Sequence, residues 1–392
     1  MLIQPNPLKG RNRIKVAHVL GKMDRGGAET WLMHVLRTID REKYQLDFIV
    51  HTKEPGDYDE EIIQLGSKII PCLSSAQPWK YYKNMKRIFC AHGPYDVVHS
   101  HVHHFSGFVL KIAEKAGIPI RIAHSHTDSS GLQHTISRRF YLAVMKNWID
   151  HYATLGLAVS ERAAFALFGP KWKMRTWIKI HPCGIDLAPF REKYNSREVR
   201  SELGIDENAF VIGHIGRFDE NKNQKFLLDV FDQIAEKDLT AVLLLVGVGP
   251  LLPFIKRKVE DKNLSEKVFF PGKRKDIPRI LMGAMDVFLL PSLHEGLSLV
   301  AVEAQAAGKK LIRSEEISGE VDIVKPLVRK VSNKQMPEIW AKAILETKNQ
   351  ERLIPQEKAL QIVENTQCNI LRGIKELEGY FEGKHGKREI HA

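Results

Sequence analysis

The chain has 392 residues, too many for one ordinary domain and comfortable for two. Hydrophobic residues make up 43% and charged residues 27%, which excludes a disordered, collagen-like or coiled-coil chain. Its 59 lysines and arginines outnumber 47 acidic residues, a net +12 that points to nucleic acid, an anionic membrane surface or a phosphate-bearing ligand.

In chain order, Ile14–Leu20 reads as a strand and Gly26-Gly27 as a turn. Residues 28–39 read as a helix, with Trp31, Leu32, Val35 and Leu36 at helical spacing. Strands follow at 46–50, 96–100, 118–124, 153–158 and 177–181, with helices at 59–65 and 105–116. Residues 133–150 (QHTISRRFYLAVMKNWID) form an amphipathic helix in which Arg138, Arg139 and Lys146 lie among large apolar side chains. A second set opens with the strand Phe210–Ile215 and a helix at 226–235. The strand Ala241–Val246 is almost continuously apolar, as a parallel strand buried on both faces should be. A helix at 251–262 and strands at 268–270, Val287–Leu290 and 310–312 complete the set, and helices at 339–347 and Ile370–Phe381 end it. This alternation predicts two doubly wound parallel sheets. The charged, turn-rich stretch 184–208 predicts the join.

The basic surplus is uneven. Residues 1–190 carry a net +10 and 13 of the 17 histidines; the remainder carries +2. The longest apolar run, 241–249, is far short of the ~20 residues a membrane span needs. The opening MLIQPNPLKGRNR has no apolar export core, so a cytoplasmic chain is expected. Cys72, Cys90, Cys183 and Cys368 are scattered without a CxxC pair, which predicts neither a zinc site nor a disulfide framework.

Three segments carry chemistry. Gly26-Gly27-Ala28-Glu29 lies between the first strand and helix, where glycines let a ligand approach backbone and a helix start faces an anion. Gly216 and Arg217 end the first strand of the second set, with Lys222 just beyond, placed to clamp one anionic group. In Glu295-Gly296-Leu297-Ser298-Leu299 and on to Glu303, Gly296 or Ser298 would cap a helix. The amides near Leu297–Leu299 would then meet a diphosphate while Glu303 reaches ribose hydroxyls. Glu295 is left free for another hydroxyl-rich group. His99, His101, His103, His104, His124 and His126 cluster at strand ends, where hydrogen bonding to a polyol is favoured over a metal, since no carboxylate or cysteine accompanies them at ligand spacing.

Together these motifs resemble the retaining, nucleotide-sugar-dependent glycosyltransferases of family 4, with the GT-B fold, closest to the exopolysaccharide and capsular polysaccharide branch. The resemblance spans roughly residues 14–382. It rests on GGAE at 26–29, DVVHSH at 96–101, HSH at 124–126, CGID at 183–186, Gly216-Arg217 with Lys222, GVGP at 247–250 and EGLSLVAVE at 295–303. It implies two Rossmann-like domains facing across a cleft. Residues 1–188 would bind the acceptor, with a helix at about 367–383 crossing back, and residues 189–366 would bind the nucleotide sugar. Arg217 and Lys222 would neutralise the leaving diphosphate, Glu303 hold the ribose and Glu295 the donor sugar. Gly216 and the Gly296–Leu299 amides would complete the donor site. Gly27 would admit the diphosphate or acceptor, and Gly26, Glu29, His101 and His124 would face the acceptor. His126 aligns best with the family histidine at the donor sugar, and His101 is the second choice. The chain departs from the pattern at Val248, usually acidic; at Cys183, usually Asn; and after Ile312, where RSEEISGEVD replaces a double-glycine loop.

The resemblance further implies transfer from a nucleotide diphosphate sugar, UDP-linked, to a lipid-linked or oligosaccharide acceptor at the inner membrane face, without cofactor or metal. Asp57-Tyr58-Asp59 matches a metal-binding DxD only superficially, because helix-capping acids explain it. The expected partners are the donor, the acceptor and an anionic membrane surface, with no nucleic acid. An epimerase of the same fold and a non-catalytic nucleotide-sugar-binding protein are the alternatives.

Overall fold

The structure, a computed structural model, describes residues 13–128, 135–348, 350, 354–384 and 386–387. Residues 1–12 of the opening segment behind the export expectation, and Gln133 and His134 of the amphipathic helix, lie outside the described residues.

Two compact units divide the chain: one runs to Gly184 and resumes at Ile370, and the other is Ile185–Asn369. The crossings lie a few residues from the expected 188/189 and 366/367. There Ile185 N donates to Cys368 O (2.8 Å), and Ile185 and Asn369 form an isolated parallel bridge.

The first unit alternates β1 (Ile14–Leu20), α1 (Gly27–Thr38), β2 (Tyr44–Val50), α2 (Asp59–Gln64), β3 (Lys68–Pro71), α3 (Pro78–His92), β4 (Val97–Ser100), α4 (Ser106–Lys115), β5 (Ile120–Ser125), α5 (Ile136–Tyr152), β6 (Leu155–Ala158), α6 (Glu161–Phe168) and β7 (Ile178–Ile180). The second comprises α7 (Ser196–Glu202), β8 (Phe210–Ile215), α8 (Gln224–Ala235), β9 (Ala241–Val246), α9 (Leu252–Asp261), β10 (Val268–Gly272), α10 (Ile277–Gly283), β11 (Val287–Leu290), α11 (Leu299–Ala306), β12 (Lys310–Ser314), β13 (Val328–Val331), α12 (Pro337–Lys348) and α13 (Gln356–Glu364). Helix α14 (Ile370–Phe381) returns to the first unit.

Both sheets are wholly parallel. Their orders are β3-β2-β1-β4-β5-β6-β7 and β10-β9-β8-β11-β12-β13. In each, the chain runs outward in one direction, then returns to the middle and runs the other way. The reversal falls between β1 and β4 and between β8 and β11. At such a switch point the helices of adjacent strands leave for opposite faces, and a crevice opens at the strands' carboxyl ends.

The cores follow the sequence pattern. β9 is buried at five of six positions. In the second unit Phe218, Leu227, Phe231, Leu243, Leu245, Ile255 and Trp340 are among the residues that form one buried cluster. In the first unit, α14 packs on α1 and places Phe381 against Tyr44 and His18, with ring centroids 6.1 Å apart in both cases.

Candidate active site

In the second unit, the loops after β8 and β11 flank the switch point. Gly216 N donates to Val246 O and Phe218 N to Val248 O, both at 3.0 Å, which ties the first loop to the one after β9. Gly247 has φ +136°, and a Cβ there would collide with Gly216 O. Glycine is therefore obligatory where these loops meet. Phe218 is fully buried, whereas Arg217 beside it is exposed, with no side-chain hydrogen bond or ion pair among the described residues.

Sequence reasoning leaves Glu295 free. The structure corrects this: Glu295 accepts a hydrogen bond from the Lys222 ammonium, and the two side chains are only 14% and 18% exposed. Low exposure strengthens the pair by excluding water. An ammonium has three donors, so Lys222 has N–H groups left for an anionic oxygen.

Helix α11 starts after Gly296, which is buried, and Leu297, which is half-buried. Ser298 stands at its N-cap without a side-chain capping bond, and its buried Oγ has no partner. Ala301 N and Val302 N donate to Ser298 O. The amides before them, at Leu299 and Val300, precede any intrahelical acceptor and present N–H groups with a partial positive charge.

Glu303 is half-buried one turn further along, and its carboxylate has no hydrogen-bond partner among the described residues. Burial pushes its pKa up to about 7. A raised carboxyl pKa makes the ionised form the costly one. The penalty is absent below the unfolded value near 4.5 and complete above about 7. Glu303→Gln is therefore expected to stabilise this unit at pH 8 by on the order of 1–3 kcal/mol, and not at pH 4.5. Thermal melts at the two pH values check this.

Three residues that sequence reasoning missed brace the loop after β11. Asn333 Nδ2 donates to Pro291 O (3.0 Å) and Ser292 O (3.2 Å). Asn223, in the left-handed region at φ 56°, donates to Pro291 O (3.3 Å). Asn221 bonds His294 through both atoms of its amide. The run Asn221-Lys222-Asn223 hinted at two of them, and nothing local marked Asn333.

In the first unit, Gly26 is the N-cap of α1, and a Cβ there would collide with the Glu29 carboxylate. Glu29, three residues after the cap, thus sits where a capping glutamate folds back over its helix start. Gly27 is exposed, with open space where a Cβ would be. Asp57 accepts from Arg25 N and Asp59 from Gly56 N, each at 2.9 Å, so the DxD-like pair shapes a turn and opens α2.

The histidines turn on one another. The register of β1 against β4 sets His18 beside His99. His18 Nδ1 lies 3.0 Å from His101 Nε2, His101 Nδ1 lies 2.9 Å from His126 Nε2, and Cys183 Sγ lies 3.6 Å from His126 Nδ1. This is a chain of three imidazoles ending on a thiol. His99 Nε2 and His124 Nδ1, 3.1 Å apart, form a parallel stacked pair. Trp31 meets His124 edge-on at 5.1 Å.

The structure packs the expected site histidines into the unit. His124 is fully buried, and both ring nitrogens of His126 are engaged inside the unit. His101 is half-buried and likewise engaged at both nitrogens. The reason is packing: residues i and i+2 of adjacent parallel strands project to one face, and the rings stack instead of dispersing to solvent. Two triads, His18/His99/His101 and His101/His124/His126, bring one nitrogen each within 4.8 Å, close enough to share an ion. Burial lowers the pKa of His18 and His126 to about 3 and that of His99, His101 and His124 well below the usual range, so all are neutral at physiological pH.

Known proteins share this chain's sequence and topology. Residues 25–188 match Glycosyltransferase Family 4 and residues 195–367 match Glycosyl transferases group 1. The putative glycosyltransferase EpsF of Bacillus subtilis is 36% identical over 84% of this chain and 86% of its own length. The chain belongs to glycosyltransferase family 4. An Escherichia coli relative of this glycosyltransferase, named UDP-Gal:alpha-D-GlcNAc-diphosphoundecaprenol alpha-1,3-galactosyltransferase, is 28% identical over 80% of this chain and 82% of its own. Anabaena HepE, solved in complex with UDP and glucose, superposes with a TM-score of 0.78 at 19% identity, covering 93% of this chain and 98% of its own. The glycosyltransferase thus has the two-domain GT-B fold expected from its sequence.

Proposed function

We propose that this glycosyltransferase moves a sugar, with retention, from a UDP-sugar to a lipid-linked saccharide in surface polysaccharide biosynthesis. The observation that carries the reading is the grouping of exposed Arg217, the Lys222–Glu295 pair, the start of α11 and unpartnered Glu303 around one switch point. Support for UDP comes from HepE, solved with UDP and with UDP-glucose. Support for the acceptor class comes from the Escherichia coli relative's name, and for the pathway from a 28% identical Staphylococcus aureus relative named for capsular polysaccharide biosynthesis.

In this reading the barrier is cleavage of the anomeric C–O bond, with positive charge growing on the sugar and negative charge on the departing diphosphate. Arg217, Lys222 and the α11 amides stabilise that negative charge from fixed positions. Charge neutralisation by these groups needs no metal. The acceptor hydroxyl attacks from the leaving-group side and loses its proton to the departing phosphate, so no carboxylate nucleophile is required, unlike in retaining hydrolases. Glu303 accepts from the ribose hydroxyls, and Glu295, held by Lys222, faces the donor sugar. The first unit receives the acceptor.

Incubation with UDP-sugars, with and without a polyprenyl-diphosphate-linked saccharide, tests the reading. UDP release that depends on the acceptor, with the product's anomeric configuration unchanged, is the expected result. Conversion of the nucleotide sugar without acceptor would indicate an epimerase, and tight UDP binding without turnover a binding protein.

No helix among the described residues is long and apolar enough to cross a membrane. The start of α5 instead presents Ile136, 86% exposed, and Phe140, 73% exposed, beside exposed Arg138 and Arg139. Trp79 on α3 is 69% exposed. Apolar side chains among cations suit an anionic interface. Co-sedimentation with phosphatidylglycerol vesicles is expected at low salt and should weaken several-fold by 0.5 M, where screening shortens to a few ångströms. Phe140→Ser with Arg138→Glu should abolish it without changing UDP affinity.

A further inference from the structure

We infer that Asn221 is a positioning residue of the donor site, the clamp that makes Lys222 and Glu295 act as one unit. The inference rests on the donor-site reading above for its catalytic consequence, but not for its geometry.

Asn221 lies in the single turn Glu220–Lys222 after β8, a turn capped by Asp219, whose carboxylate accepts from Lys222 N at 3.1 Å. From there its side chain reaches across a sequence gap of 73 residues to the loop after β11. Asn221 Nδ2 donates to His294 O (2.7 Å), and His294 N donates to Asn221 Oδ1 (3.0 Å). The carboxamide thus pairs with the N–H and C=O of one residue through two opposed bonds, as a neighbouring strand would. A third bond, Leu293 N to Asn221 O (2.8 Å), runs beside them. A carboxamide held at two points on one residue has its separation and rotation fixed, which one bond does not give.

The register that follows is specific. Lys222 comes next after Asn221 and Glu295 next after His294, so zipping Asn221 to His294 sets the ammonium on the carboxylate. The ion pair alone would not achieve this, because a lysine stem has four rotatable bonds and a point charge imposes no orientation. Asn223 and Asn333 hold Pro291, at the start of the same loop, and do not reach its far end. Asn221 is the side chain that grips the loop beside Glu295. A cation meant for the diphosphate and a carboxylate meant for the donor sugar therefore keep a constant spacing when the ligand arrives. Constant spacing is what transition-state stabilisation by fixed groups demands, since a misplacement near 1 Å costs about 100-fold in rate.

Two measurements on the full chain test this. In the first, which needs no ligand, denaturant unfolding of Lys222→Met, Glu295→Gln and the double variant gives the coupling between the pair. The same cycle is repeated on an Asn221→Ala background, where the coupling should fall by more than half. Unchanged coupling overturns the inference. In the second, UDP affinity and acceptor-dependent UDP release from UDP-glucose or UDP-galactose are compared across variants. Asn221→Ala should lower kcat 10- to 100-fold while UDP affinity, which Arg217, the α11 amides and Glu303 still carry, changes less than 3-fold. Asn221→Asp, which keeps the acceptor for His294 N and loses the donor, should fall between. A variant that loses UDP affinity as much as kcat marks Asn221 as merely structural and overturns the inference, as does full kcat in Asn221→Ala. If the wild-type chain neither binds UDP nor releases it, the donor reading fails, while the first cycle still decides the clamp.

Discussion

At pH 5.5 the first unit is expected to unfold while the second stays folded. Burial lowers the pKa of His18, His51, His99, His101, His103, His124 and His126 in the first unit, but in the second, among the described residues, only that of His214. The sign is fixed by which state binds more protons. Unfolded imidazoles titrate near 6.5, whereas the folded ones stay neutral to about 4 or below. Stability is therefore complete above 6.5 and is lost as pH falls through the window between. Each neutral histidine removes about 1.4 kcal/mol per pH unit in that window. Seven of them, discounted for the half-exposed members, remove on the order of 5–10 kcal/mol by pH 5.5, the size of a whole domain's stability. Carboxylates with lowered pKa in the first unit, such as Glu382, held down to about 2 by hydrogen bonds from Lys384, Lys43 and Tyr44, contribute only at more acid pH. Hydrogen exchange resolved by peptide at pH 7.5 and 5.5 reads the two units separately. Equal protection of both units at pH 5.5 would refute the expectation.

Lys222→Met should lower transfer by about 100- to 1,000-fold, the range seen when one fixed donor to a developing anion is removed. It should also destabilise the second unit, because Glu295 is left 14% exposed without its cation; an unsatisfied charged group of this kind costs about 1–3 kcal/mol. The double variant Lys222→Met/Glu295→Gln separates the two effects. Neutralising the stranded carboxylate should return most of the stability and none of the transfer. Kinetics and melting temperatures measured on the same preparations decide, and wild-type transfer in Lys222→Met would remove the lysine from the mechanism.

Much of this was legible in the sequence. The strand–helix alternation is periodic enough to give both sheets, and the glycine-containing turns at Gly26-Gly27, Gly216 and Gly296 fall at the carboxyl ends of β1, β8 and β11. The short edge strands β3 and β13 were not read, because KIIP and VRKV are four residues long and half-exposed, too brief for a period to register. Helix α3 escaped although Tyr81, Met85, Ile88 and Phe89 recur at helical spacing, because aromatic and basic residues crowd the positions between them. At the site, residue types were readable and partners were not. Nothing local tells Glu295 that it will meet Lys222, or His126 that its nitrogens will be taken by His101 and Cys183. Those contacts depend on loop register across distant strands, which only the folded sheet supplies.

Helix α14 has a consequence for how the protein is made. It closes the first unit against α1, with Phe381 beside His18 and Tyr44 and with Glu382 accepting from the Tyr44 hydroxyl at 2.9 Å. The whole second unit separates it in sequence from the sheet it covers. During synthesis the second unit therefore emerges complete while the first still lacks one wall and holds its imidazole cluster uncovered. Order of emergence is the reverse of order of completion, and the half begun first must wait for α14 before it can close.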